Sequence, residues 1–252
     1  MKYLHLRNAT ALVTLGRHRF LVDPMLSDAG AMMGFKLFGG GYRRNPLVAL
    51  PPIATRALRE ATAAIVTHAH PDHLDGPGLA LLRERTLPTW TSAHDAPSLR
   101  RKGVHAHDVA ALEDVQVEAI RSRHGRGFMG WAMGVVHGFF LAHPGEPTLY
   151  LVGDSVLTDA VLEAIERLRP DVVVAPAGAA NMGLGGDILF SVDELVTLAR
   201  ATPGTLILNH LEALDHCPTR RADLTARMRS EGLSERVLVP SDGEELVLAP
   251  AR

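Results

Sequence analysis

Nine consecutive residues, Thr67-His68-Ala69-His70-Pro71-Asp72-His73-Leu74-Asp75, set three imidazoles and two carboxylates directly after the apolar run Ala63-Ala64-Ile65-Val66. Imidazole and carboxylate are ligand types that suit zinc, iron or manganese. Ligands hold a metal tightly only when rigid elements carry them. The chain must therefore end a buried strand at this cluster and bring further ligands to it from elsewhere. The order His-x-His-x-Asp-His is improbable by chance even with 13 histidines in 252 residues, and a solvated polar loop has no use for it. It has the form a two-metal hydrolytic centre needs.

The surrounding pattern supplies the scaffold. Residues 3–8, 11–15 and 19–22 read as short strands, the third stopped by Asp23-Pro24. Residues 25–52 lack periodicity; there Met25, Met32, Met33, Phe35, Leu37 and Phe38 surround Gly39-Gly40-Gly41. A long apolar loop of this kind is expected to be a lid or a pocket wall. From residue 60 onward strands and helices alternate. The strands predicted are 63–66, 89–92, 115–120, 135–142, 148–152, 171–175 and 205–208. The helices are 78–85, 96–102, 156–168, 191–200 and 221–229, with Ser191-Val192-Asp193-Glu194 a capping box. Residues 237–239 and 245–248 are expected to close the chain as a hairpin across Asp242-Gly243. No repeat or linker interrupts residues 1–252, and the pattern suits one α/β domain with two sheets face to face and helices outside.

Composition narrows the function. The 26 basic residues against 28 acidic ones leave no cationic surplus to neutralise phosphates, so no nucleic-acid partner is expected. The single cysteine, Cys217, has no partner for an internal disulfide, which fits a reducing, cytoplasmic compartment. The first 15 residues lack the continuous apolar core of a signal peptide, and no apolar run reaches membrane-spanning length. Gly39-Gly40-Gly41 is not followed by the Lys-Ser or Lys-Thr of a phosphate loop, and Gly-x-Ser-x-Gly is absent. A small-molecule substrate is expected, and a homo-oligomer is compatible with the sequence.

Three further ligand candidates follow predicted strands. His124 follows strand 115–120 and precedes Gly125, Asp154 follows strand 148–152 through Gly153, and His210 follows strand 205–208 in Leu-Ile-Leu-Asn-His. His216 is the alternative to His210, or a residue near the substrate. Asp75 is expected to accept a hydrogen bond that orients a ligand imidazole. Asn181, in the glycine-rich run after strand 171–175, is a candidate substrate donor, and Arg43, Arg44 and Arg126 are candidate anion clamps. Cys217 reads as a packed thiol, and His94, His105, His107, His137 and His143 as surface or structural residues.

The set Thr-His-Ala-His-Pro-Asp-His, His124-Gly, Gly-Asp154-Ser and Asn-His210 resembles the metallo-β-lactamase superfamily along nearly the whole chain. Phe20-Leu21-Val22-Asp23-Pro24 and the hairpin before Gly153-Asp154 are similar to its L-ascorbate-6-phosphate lactonase-like branch. The resemblance implies a four-layer αββα sandwich built on two mixed sheets. It also implies two divalent ions, Zn2+ first and Mn2+ or Fe as alternatives. His68, His70 and His124 would hold one ion, Asp72, His73 and His210 the other, and Asp154 would bridge them, with Asp72 and Asp154 the catalytic carboxylates. A metal-bridging hydroxide would then attack a lactone, ester, amide or phosphodiester. Nuclease action, iron redox chemistry and a non-catalytic scaffold are the rival readings. Antibiotic hydrolysis is not expected, because no export signal is found and the bridging position is Asp154.

Overall fold

Residues 1–36, 38–108, 114–183 and 186–250 are described by the computed structural model of the chain. The first half folds as β1 (Lys2–Arg7), β2 (Thr10–Leu15), β3 (His18–Val22), α1 (Ala54–Glu60), β4 (Ala63–Ile65), α2 (Gly76–Glu84), β5 (Thr89–Thr91), α3 (Ala96–Arg101) and β6 (Ala106–Asp108). The second half adds β7 (Gln116–Ser122), α4 (Gly127–Ala132), β8 (Val136–Ala142), β9 (Leu149–Leu151), α5 (Asp159–Leu168), β10 (Val172–Pro176), α6 (Val192–Ala201), β11 (Thr205–Asn209), α7 (Arg221–Ser230), β12 (Val237–Leu238) and β13 (Glu245–Val247).

These strands form two mixed sheets. The seven-stranded sheet has the order β13-β1-β2-β3-β4-β5-β6, and the six-stranded sheet the order β12-β11-β10-β9-β8-β7. Each is antiparallel at one end and parallel at the other, with the change at β3 and at β9.

Side-chain alternation along the strands sorts the apolar residues into layers. On β10, Val172 and Val174 face the other sheet beside Phe139, Leu151, Phe20 and Ile65. Val173 and Ala175 face outward onto Val161 and Ile165 of α5, Leu195 of α6 and Leu224 of α7. The outer face of the first sheet buries Leu6, Leu21 and Ala64 against Ala57 of α1, Leu82 of α2 and Leu99 of α3. The result is the four-layer αββα sandwich.

The C-terminal hairpin predicted across Asp242-Gly243 does not form. Residues 237–238 join β11 in parallel in one sheet, whereas β13 pairs antiparallel with β1 in the other. The turn carries the chain between sheets, a destination that a local turn signal cannot specify. Other boundaries shift for local reasons. Thr158 caps α5 by accepting from the Val161 amide, so that helix starts at Asp159 rather than at residue 156. Helices α1 and α4 and strand β6 were not anticipated. In α4, Gly127 and Gly130 mask the helical pattern.

The loop of residues 25–52 is tied down at its base. The buried Arg7 guanidinium donates to the carbonyls of Met25, Ser27 and Val48. Asp215 accepts from the amides of Phe35, Lys36 and Arg43 and from the Asn45 side chain. Such partners satisfy the polar backbone where the loop passes into the interior. Leu37, and Leu184 and Gly185 of the glycine-rich run, lie outside the described residues.

Candidate metal centre

All ligand candidates lie just beyond strand ends on one edge of the sandwich. His68, His70, Asp72 and His73 follow β4 of the first sheet, while His124, Asp154 and His210 follow β7, β9 and β11 of the second. Local backbone geometry aims two of them. Gly153 turns the chain with φ of 68°, and a Cβ there would lie 2.7 Å from the His137 carbonyl. His210 itself has φ of 59°, a conformation rare outside glycine that is kept where the surroundings enforce it.

Two ligand sets result. Single nitrogen atoms of His68, His70 and His124 lie within 4.8 Å of one another, as do single ligand atoms of Asp72, His73, Asp154 and His210. Asp154 sits between the sets. Its Oδ2 is 3.4 Å from His124 Nε2, 3.7 Å from His210 Nε2 and 4.0 Å from His68 Nε2, and its Oδ1 is 3.2 Å from His73 Nε2. His210 Nε2 is 3.4 Å from Asp72 Oδ2.

In four of these rings the outer nitrogen is already committed. His73 Nδ1 donates to Asp23 at 2.9 Å, and His124 Nδ1 to the Ile188 carbonyl at 2.9 Å. Thr67 gives its hydroxyl proton to Asp23, which leaves its oxygen to accept from His68 Nδ1 at 3.1 Å. His210 Nδ1 faces the buried Cys217 Sγ at 3.5 Å. These bonds leave each Nε2 lone pair pointing inward.

Among the described residues, none makes a hydrogen bond of good geometry to four of those inward atoms. His68 Nε2, His73 Nε2, His210 Nε2 and Asp154 Oδ1 are buried without a hydrogen-bond partner. Each orphan costs about 1–3 kcal/mol, a cost that a bound cation removes. Burial, reinforced by His73, holds His68 well below the usual histidine range, and burial lowers His124 as well. Both are therefore neutral donors. Burial opposes protonation of His73, but Asp154, Asp23 and Asp72 outweigh it and push that ring up to about 10. His210 is likewise raised, by Asp154 and Cys217 against burial. Burial would raise Asp72 and Asp154, yet His73 and His210 hold both carboxylates well below their usual range. The carboxylates that raise His73 and His210 thus favour positive charge at this spot, which a bound cation would supply. The donor set fits divalent metal.

A cavity of about 240 Å3 adjoins the centre, lined by Phe35, His70, Pro71, Asp72, His124, Met133, Met182, Ile188 and His216. Three ligand candidates are thus part of its wall. Among the described residues no Lys or Arg lines it.

The remaining sequence candidates fall elsewhere, with one exception. Asp75 caps α2 by accepting from the Gly78 amide and also binds the Ser27 amide, so the orienting role expected of it belongs to Asp23. Asn181 spends its side chain on Ala179 O and the Gly183 amide within its own loop. Arg126 is exposed and pairs with Glu194. Arg44 holds the Gly30 and Ala31 carbonyls, so neither arginine clamps an anion in this cavity. His216 does reach the wall, buried, with no hydrogen bond to Nδ1 among the described residues and its ring edge-on to Phe35. Asp23 and Asn8 went unrecognised as site residues. The clue to Asp23 is an acid closing one strand beside the strand that leads into Thr67.

Fold and centre together define a metal-dependent hydrolase. The chain belongs to the beta-lactamase superfamily, whose domain profile matches residues 18–211. Within it the chain is similar to the UPF0173 protein YddR of Bacillus subtilis, at 31% identity over 97% of this chain and 98% of that one. Two crystal structures are similar over nearly their full lengths. One, described as a possible metal-dependent hydrolase from Veillonella parvula, is 27% identical, covers 98% of this chain and 99% of that one, and has a TM-score of 0.91. The other is an isothiocyanate hydrolase from Delia radicum gut bacteria, 28% identical, covering 99% of this chain and 100% of that one, with a TM-score of 0.87. Among the described residues no helix is long and apolar enough to cross a membrane.

Proposed function

We propose that the two ligand sets hold two divalent cations, Zn2+ first and Mn2+ or Fe as alternatives, and that the protein hydrolyses a small uncharged substrate. The observation that carries this reading is the shared wall: His70, Asp72 and His124 belong both to the ligand sets and to an apolar cavity. Bound cations would supply Lewis acidity and an acidified water. The chain's own residues do the rest. Phe35, Met133, Met182 and Ile188 exclude water and hold an apolar tail. His216, pushed down to about 4 chiefly by burial, is neutral near pH 7 and offers the wall one polar contact that is not a ligand.

Among neutral substrates an isothiocyanate, R–N=C=S, ranks first. The similarity to the gut-bacterial isothiocyanate hydrolase supports it, as does a cavity that suits a slender electrophile with an apolar tail. Water adding to the central carbon would give the amine and carbonyl sulfide. Lactones, esters and amides share the lack of charge and rank next. Phosphodiesters rank last, because among the described residues no Lys or Arg lines the wall, so the bound cations alone would have to offset the phosphate charge. The unpaired, buried Cys217 is compatible with a cytoplasmic setting.

The test is a screen of metal-analysed enzyme against benzyl isothiocyanate, a γ-lactone, an aryl ester, an anilide and bis(p-nitrophenyl) phosphate. Turnover of a neutral substrate that is lost in His68→Ala is expected. Turnover confined to the phosphodiester, or unchanged in His68→Ala, would overturn the reading.

A further inference from the structure

We infer that Asn8, which belongs to neither ligand set, is the positioning residue that fixes the Asp72–His210 half of the centre. The inference rests on the two-cation reading above. Asp72 comes from the loop after β4 in the first sheet, and His210 from the end of β11 in the second. Their ligand atoms must converge although they are carried by different sheets.

Asn8 spans that gap from the turn between β1 and β2. Its backbone carbonyl accepts from the His210 amide at 2.9 Å, and its side-chain Nδ2 donates to the Asp72 carbonyl at 3.0 Å. One fully buried residue thus ties the main chains of both ligands, with one bond to each. The bond to His210 also steadies a residue held at φ of 59°.

The form of Asn8 supports the assignment. It adopts φ of 57°, which asparagine tolerates better than most side chains, and its Oδ1 is buried without a partner. A residue serving only to turn the chain has no reason to bury an amide whose Nδ2 reaches the main chain of a residue 64 positions away. A positioning residue does.

A merely conformational role and a positioning role separate in Asn8→Gly. Glycine keeps the positive φ and the carbonyl to His210 but deletes the amide to Asp72. Asn8→Asp tolerates the same backbone and places an acceptor against the Asp72 carbonyl. Zn2+ affinities are measured by chelator competition for wild type, both variants and His210→Ala, with anomalous diffraction locating each ion and the apo melting temperature as control. The expected result is a loss of about 10- to 100-fold in affinity for one ion. That ion is the one missing in His210→Ala and the other ion is unchanged, while the lost buried hydrogen bond lowers the apo melting temperature by only a few degrees, on the order of 5 °C. Unchanged affinities in both variants would overturn the inference. So would equal weakening of both ions, which would make Asn8 a turn residue only. Fewer than two ions in wild type would instead overturn the two-cation reading itself, and this inference with it.

Discussion

Asp23, at the end of β3, accepts the Nδ1 proton of His73 at 2.9 Å across 50 residues of sequence. The same carboxylate accepts from the Thr67 amide and hydroxyl, and that hydroxyl in turn faces His68 Nδ1. One buried acid therefore orients an imidazole in each ligand set. Asp23→Ala is expected to weaken both ions by about 10- to 100-fold. A chelator-competition titration reads the loss. Full affinity at both sites would show that the imidazoles orient themselves without it.

Asp215 should make the pocket wall sensitive to acid. Burial alone would raise its pKa, but the Phe35, Arg43 and Lys36 amides and the Asn45 side chain hold it below the usual carboxylate range. A folded-state pKa below the unfolded one means stability that is complete above about pH 4 and lost as pH falls through the lowered value. Asp215→Asn cannot ionise. Its melting temperature is expected to lie below wild type at pH 7, on the order of 5 °C, with the gap closing as the pH drops below 4. Melting curves between pH 3 and 7 check this, and a gap independent of pH would count against it.

Much of this was legible in the sequence, because the ligand candidates follow strands and strands announce themselves. His68, His70, Asp72, His73, His124, Asp154 and His210 all stand just past apolar runs. What could not be read was sideways. Asp75 lies two residues from His73 in sequence and looked like its partner, but Asp75 is a helix cap. The true partner, Asp23, becomes adjacent only because β3 pairs in parallel with β4. The C-terminal strands show the same limit: Asp242-Gly243 signals a turn, while sheet membership is settled by pairing with β11 and β1, each far away in sequence.

His216 supplies the sharpest test of the cavity. His216→Phe keeps an aromatic ring against Phe35 and removes the polar contact, leaving both ligand sets intact. It should keep its metal content and lose at least about tenfold in kcat/KM, the effect of one hydrogen bond worth roughly 1.4 kcal/mol. Steady-state kinetics on the best neutral substrate from the screen, beside metal analysis, would show it. An undiminished kcat/KM would reduce His216 to packing.

The central claim is that the two ligand sets hold cations on which hydrolysis depends. The most direct measurement is metal content per chain, paired with activity, before and after exhaustive chelation and again after adding Zn2+. The account predicts two equivalents, activity lost with them, and activity restored as they return. A protein that hydrolyses its substrate at full rate with no metal bound would contradict it.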